Sequence, residues 1–450
     1  GYYQSVKPHT PDPSTRLRFN WNAGFARDLH NQDVAYYGSQ FVHKTADRGA
    51  TWEVISPDLT TNNPDQQRQD YGGLTIDASG AEFYNAILTI APSPLEEETI
   101  WIGTDDGQVQ ITRNGGEDWE NITANVSGLP EQGWIAQIQA SRYDASTAWM
   151  VVNNYRQGDY APYLFITRNY GESWERIAEN VKGYTLAVIQ DPVEPNLVFL
   201  GTENGLWISM DEGSSWTQMK NGFPSVSTMD LAIQERESAL IIGTFGRAIW
   251  VLDDLLTLRE AAAEKLNEGL TALPMNNAVQ VKGLFIAPPG NIWTGFHTTF
   301  EGENRPFQKT KIPFYVSEVS DSTQAVARIF NTEGVEIQSV ISSDVNPGLN
   351  YVTWKLNEKS TELPGAYVND ETRRIPVLPG DYTIIINYAG QTDTTQVKVI
   401  SDPRFEPQPE VDAALYTLRK QLDKSVASFA QSLNRLSDSD TTVQEVLTQI

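Results

Sequence analysis

Thr45-Ala46-Asp47-Arg48-Gly49-Ala50-Thr51-Trp52 decides the fold, because its pattern Ser/Thr-x-Asp/Asn-x-Gly-x-x-Trp returns three more times. It recurs as Thr112-Arg113-Asn114-Gly115-Gly116-Glu117-Asp118-Trp119, as Thr167-Arg168-Asn169-Tyr170-Gly171-Glu172-Ser173-Trp174, and as Ser209-Met210-Asp211-Glu212-Gly213-Ser214-Ser215-Trp216. Four copies in register are a repeat. Each part suits a tight hairpin: the Asp or Asn oxygen accepts from the turn's own N–H groups, the Gly takes the positive-φ position, and the hydroxyl ties the entering strand. The Trp is an apolar plate beside the turn whose indole N–H seeks a partner. Asp47, Gly49 and Trp52, Asn114, Gly116 and Trp119, Asn169, Gly171 and Trp174, and Asp211, Gly213 and Trp216 are therefore assigned to folding rather than to chemistry.

Around the octets the chain reads as five strand-rich units. A run such as Thr99-Ile100-Trp101-Ile102-Gly103-Thr104 or Leu197-Val198-Phe199-Leu200-Gly201-Thr202 precedes an octet. The fifth run, Ala239-Leu240-Ile241-Ile242-Gly243-Thr244, leads into Phe245-Gly246-Arg247-Ala248-Ile249-Trp250 without one. Successive octet tryptophans lie 67, 55 and 42 residues apart, and the shortest step is close to the roughly 40 to 50 residues of a four-stranded propeller blade. The longer steps mark insertions at 58–86 and 153–162, on the rigid scaffold where binding usually resides. The octet resembles the Asp-box, or BNR repeat, of sialidases, xyloglucanases and sortilin-type domains, all β-propellers, and the resemblance implies fold rather than activity. Five blades are few for a closed ring, so further blades are expected upstream or from another chain.

The expected organisation is mainly β. A linker over residues 1–18 leads to Asp-box propeller blades over 19–254, a helical linker over 255–275, an Ig-like β-sandwich over 276–403 and a helical tail over 404–450. The sandwich is read from short alternating strands such as Tyr351-Val352-Thr353-Trp354-Lys355-Leu356 between turn residues. In the tail, Val411, Leu415, Leu418, Leu422, Val426, Phe429 and Leu433 recur at three- and four-residue steps, an amphipathic stripe expected to pack on the sandwich or on a partner helix.

A formal charge of −25 repels phosphate backbones and anionic lipid. No nucleic acid is expected, and no apolar run is long enough to span a bilayer. With no cysteine, disulfides, thiolate metal sites and Cys nucleophiles are excluded. His9, His30, His43 and His297 lack metal-ligand spacing and read as surface or turn residues. No metal or cofactor is expected, although an acidic surface leaves calcium possible. The chain opens at Gly1 and reads as a mature or partial chain.

Beyond the octets, Ser56-Pro57-Asp58-Leu59-Thr60, Gly80-Ala81-Glu82-Phe83-Tyr84, Gly103-Thr104-Asp105-Asp106-Gly107, Gly201-Thr202-Glu203-Asn204-Gly205 and Gly246-Arg247-Ala248-Ile249-Trp250-Val251-Leu252-Asp253-Asp254 follow one another in order. This series resembles the C-terminal half of the large bacterial BNR-repeat, sortilin (VPS10) domain-like proteins, often labelled glycosyl hydrolases. The resemblance implies export to the bacterial periplasm, cell surface or exterior, and leaves activity open.

A sialidase-like site needs an arginine cluster, an acid and a Tyr–Glu pair. Arg373-Arg374-Ile375-Pro376 lies in the expected sandwich and reads as a strand edge, while Glu82 and Tyr84 imitate the pair. A xyloglucanase-like site needs two carboxylates facing a cleft, for which Asp105, Asp106 and Glu203 at equivalent turns are the candidates. For binding, the candidates are Tyr71, Trp134, Tyr155, Arg156, Tyr160 and Tyr163, which can stack on a sugar or anchor a peptide. The reading is an exported, non-catalytic propeller that recognises a protein, peptide or glycan within an envelope assembly. The alternative is a glycoside hydrolase of sialidase or xyloglucanase type, with its carboxylates partly in the further blades expected upstream.

Overall fold

The segment Thr147–Asn154 explains why these runs become blades. Successive strand residues point to opposite faces. Ala148, Met150 and Val152 enter one apolar cluster with Trp101, Val109 and Ile111 of the preceding sheet, while Trp149 and Val151 enter another with Val188, Val198 and Leu200 of the following one. A strand buried on both faces must be continuously apolar, and every residue from Thr147 to Asn153 is buried.

The computed structural model describes residues 6–10, 12–70, 72, 73, 75, 76, 78, 80–280, 310–320, 324–361, 375–403 and 405–449, in two units, Gly1–Glu264 and Lys265–Ile450. The first is built from five antiparallel sheets in chain order, the blades of a β-propeller fold. Blade 1 comprises Phe25–Arg27, Ala35–Gly38, Val42–Thr45 and Glu53–Val54; blade 2 comprises Ile87–Pro92, Ile100–Thr104, Val109–Thr112 and Glu120–Asn121. Blade 3 comprises Trp134–Ala140, Thr147–Asn154, Asp159–Arg168 and Glu175–Ile177; blade 4 comprises Thr185–Gln190, Val198–Thr202, Gly205–Ser209 and Thr217–Gln218. Blade 5 has three strands, Thr228–Gln234, Ala239–Thr244 and Ile249–Leu252. One apolar cluster lies between each pair of neighbours.

The octets are the turns between the third and fourth strands. In all four, the Ser/Thr hydroxyl donates to the Asp/Asn side chain over 2.7–2.9 Å and accepts from the Gly N–H over 2.8–3.0 Å. The Gly φ values are 89°, 102°, 81° and 83°. The residue before each Gly also has positive φ, at Arg48, Gly115, Tyr170 and Glu212; the sequence gives no sign of this, since three of the four carry side chains.

Each octet also grips what precedes it. A Cβ on Gly116 would lie 2.7 Å from the Ile55 carbonyl oxygen of blade 1, and the Trp119 indole N–H donates to that oxygen over 2.9 Å. Gly171 abuts Ile122 and Trp101 of blade 2, and Gly213 abuts Ile177 and Trp149 of blade 3. Trp52 donates to the Val6 carbonyl and Trp216 to that of Gly213. Trp174 departs from expectation: its N–H has no partner, and its ring instead meets Trp101 edge-on with centroids 5.9 Å apart. His43 is likewise not a surface residue. It is fully buried in blade 1, its Nε2 2.8 Å from the Ser39 hydroxyl, and burial pushes its pKa down to about 4. His297, Arg373 and Arg374 lie outside the described residues.

Helix α1, Leu256–Ala262, caps the cluster beside blade 5 with Ala262 and anchors through a buried Arg259–Asp191 ion pair of 2.9 Å. The helix ends where Glu264 takes φ 57°, and Leu270–Ala272 is already a strand, so only part of 255–275 is helical. In the second unit, a three-stranded sheet of Leu270–Ala272, Thr310–Val316 and Gly348–Trp354 shares one core with a five-stranded sheet. The latter contains Ala278–Gln280, Gln391–Ser401, Gly380–Tyr388, Ala325–Phe330 and Glu336–Ser342. Helix α2, Pro409–Gln449, follows. Its apolar stripe does not pack on these sheets; Val411, Leu415, Leu418, Leu422 and Phe429 are exposed. Among the described residues no helix is long and apolar enough to cross a bilayer.

Candidate functional site

The blade ends opposite the octets carry the turns between second and third strands. There the repeat diverges. Trp134 and Tyr184 immediately precede Ile135 and Thr185, which pair with Val152 and Thr202 at matching register in blades 3 and 4. Tyr84 holds a nearby place at the entry to blade 2 and lies 6.5 Å from Trp134, centroid to centroid. In blade 3 the insertion 155–158 brings Arg156 over the Trp134 ring at 3.4 Å and over Tyr155 at 4.4 Å. Tyr155 stacks on Tyr184 at 4.6 Å, and Tyr160 stands 6.2 Å from Tyr184. The result is a row running Tyr84, Trp134, Arg156, Tyr155, Tyr184, Tyr160.

Beside this row opens a cavity of about 280 Å³ lined by Gln66, Tyr84, Gln132, Trp134, Asn153, Asn154, Arg156 and Gln157. Five of these are amides. Gln66 donates to Gln132 over 3.0 Å and accepts from Asn85 over 2.9 Å, and Arg156 donates to Asn153 over 3.1 Å. Burial, reinforced by Asp105 and Asp106, pushes the Tyr84 hydroxyl up to about 12, so it stays protonated and donates to the Asp105 carbonyl over 2.8 Å. Burial, with the nearby Glu203 charge, also raises Tyr184.

The site thus gathers Trp134, Tyr155, Arg156 and Tyr160. Tyr163 is elsewhere, bonded to Asp159 over 2.7 Å and covered by Arg176, and Tyr71 lies outside the described residues. Tyr184 and the amides escaped sequence reading. The available signal was the spacing, since Tyr84, Trp134 and Tyr184 are 50 residues apart in turn.

The acidic candidates separate by burial. Asp105 is fully buried and accepts from the Ala86 N–H over 2.8 Å and the Asn20 amide over 3.1 Å; Asp106 is buried and accepts from Thr61, Asn85 and Thr104. Both fasten loop backbone and neither faces a cleft. Glu82 accepts from the Gly80 and Ala81 N–H groups, and the Tyr84 hydroxyl donates to the Asp105 backbone carbonyl. Glu203 is part-exposed and follows Tyr184 across the blade, its N–H donating to the Tyr184 carbonyl over 3.1 Å. Among the described residues no group of three or more His, Asp or Glu stands where it could hold a metal.

No family model matches the chain. A curated oligoxyloglucan-reducing end-specific xyloglucanase of Emericella nidulans is 24% identical over 157 residues, 34% of this chain and 15% of that protein. The chain therefore spans a small part of that relative. Among solved structures, the GH74 xyloglucanase of Xanthomonas campestris superposes with TM-score 0.39 at 16% identity, over 51% of this chain and 36% of that one. YCF48 of Cyanidioschyzon merolae, also matched, gives TM-score 0.33 at 14% identity over 54% and 73% respectively.

Proposed function

We propose that this propeller binds a neutral polysaccharide across the face carrying Trp134, Arg156, Tyr155 and Tyr184. The observation that carries the reading is the row of aromatic rings beside a cavity lined by five amides. Aromatic faces suit the apolar faces of pyranose rings. Side-chain amides both donate and accept, as sugar hydroxyls do. The carboxylates at the equivalent turn of blade 2 are sealed beneath the surface rather than offered to a cationic ligand. The motif series beyond the octets further supports a place among exported bacterial Asp-box, sortilin-like proteins, in which this chain serves as the glycan-recognising part of an envelope assembly.

The second reading is glycoside hydrolysis, favoured by the similarity to a xyloglucanase. In that reading Glu203, the part-exposed acid beside Tyr184, is the group to test. Titration calorimetry with xyloglucan oligosaccharides, a β-glucan and an anionic polysaccharide tests both readings. Binding of a neutral glycan that falls at least about tenfold in Trp134→Ala, with unchanged melting, is expected. Binding of none of the three overturns it. Product release abolished by Glu203→Gln would establish cleavage instead.

A further inference from the structure

A helix lying on its own domain normally turns its apolar stripe inward. Helix α2 does the reverse. Tyr416, Lys420, Asp423, Ala427 and Ala430 form the face turned to the rest of the second unit, half-buried or buried. Tyr416 and Lys420 bond to Glu358 over 2.5 and 2.6 Å, and the Thr361 N–H and hydroxyl donate to Asp423 over 2.9 and 3.0 Å. On the other side Val411, Leu415, Leu418, Leu422, Phe429 and Leu436 are 45–68% exposed.

We propose that this outward face docks a second copy of the chain, with the two helices antiparallel. Leu415, Leu422, Phe429 and Leu436 fall seven residues apart, and Val411, Leu418, Ser425 and Ser432 fill the second register. Together they make a seam alternating three- and four-residue steps over nearly four heptads, the pattern of a coiled coil. The serines choose the partner. A parallel copy would set Ser425 against Ser425, Ser432 against Ser432 and Phe429 against Phe429. An antiparallel copy centred between Asp423 and Lys424 sets Leu415 against Ser432, Leu422 against Ser425, Leu418 against Phe429 and Val411 against Leu436. Each small residue then meets a large one, as close packing requires. The flanking positions agree, since Arg419 comes beside Val426, Gln421 beside Ser428 and Ala414 beside Arg435, with no like charges opposed. Anionic lipid fits less well, because Glu410 and Asp412 are mixed with Arg419 and Lys424 rather than leaving a basic face.

The absence of cysteine makes the test clean. The 450-residue chain is expected to sediment as a dimer, and Leu422→Lys, at an exposed position, to sediment as a monomer with unchanged circular dichroism. Under mild oxidation, Leu415→Cys/Ser432→Cys should give a disulfide-linked dimer. Within one helix these positions are about 25 Å apart, too far for an internal bond. Ser432→Cys alone should give none. A monomeric parent chain overturns the pairing, as does efficient cross-linking of Ser432→Cys alone, which would mean parallel helices. Binding of a monomer to phosphatidylcholine or phosphatidylserine vesicles, lost in Leu422→Lys, would assign the stripe to lipid and also overturn it.

Discussion

The two ends of the same blades obey different rules. At the octet end, four turns repeat one hydrogen-bond pattern to within a few tenths of an ångström. At the opposite end the equivalent turns hold Asp105-Asp106 sealed in blade 2, an inserted Arg156 in blade 3 and a part-exposed Glu203 in blade 4. A position that must both turn the chain and seat against a neighbour tolerates few residues; one that meets solvent tolerates many. Repetition therefore marks where the fold is held, and divergence marks where a ligand can be met.

The largest effect should come from the held end. Trp174→Ala removes a ring 7% exposed and packed on Trp101, and thermal unfolding should show a loss of about 3–5 kcal/mol, against little change for Trp134→Ala. Equal losses at the two sites would erase the distinction. Next, Gly116→Ala puts a Cβ against the Ile55 carbonyl at φ 102° and should cost about 2–3 kcal/mol. Gly115→Ala, at φ 70° with its nearest neighbour 3.9 Å away, should cost about 1 kcal/mol. A reversed order would break the view that contact with the preceding blade sets the requirement.

The effect that is smallest per unit of the variable changed, here per pH unit, tests the sealed acid. Burial pushes Asp105 up to about 8 from 3.8, against the opposing Ala86 N–H bond and with Asp106 adding to it. The folded state then keeps a proton that the unfolded chain gives up, so this stabilisation is complete below pH 3.8 and is lost as pH rises through about 8. Chemical denaturation between those limits should show stability falling by up to roughly 1 kcal/mol per pH unit, and Asp105→Asn should flatten that slope. An unchanged slope in the variant would place the titrating group elsewhere.

The octets were legible because Gly, Asp/Asn and Trp are each demanded by local geometry that spacing alone reveals. Trp134, Tyr155, Arg156 and Tyr160 were legible as aromatic or cationic residues in or near insertions. Tyr184 was not, because it lies outside both insertions and only its 50-residue spacing from Trp134 marks it. Burial of Asp105 was hidden as well: a carboxylate in a turn reads the same whether it faces water or fastens the Ala86 and Asn20 donors of another loop. Which of its two expected partners the α2 stripe faces, the sandwich or another helix, was hidden for a related reason. Apolar spacing locates a stripe, but the short polar bonds to Glu358 and Asp423 decide which way it points.

The direction of the octet contacts bears on how the molecule is made. Trp119 reaches back to Ile55, Gly171 to Ile122 and Gly213 to Ile177, always toward chain already synthesised. A sheet added in chain order would meet a docking surface already laid down by its predecessor, so that structure can propagate from neighbour to neighbour.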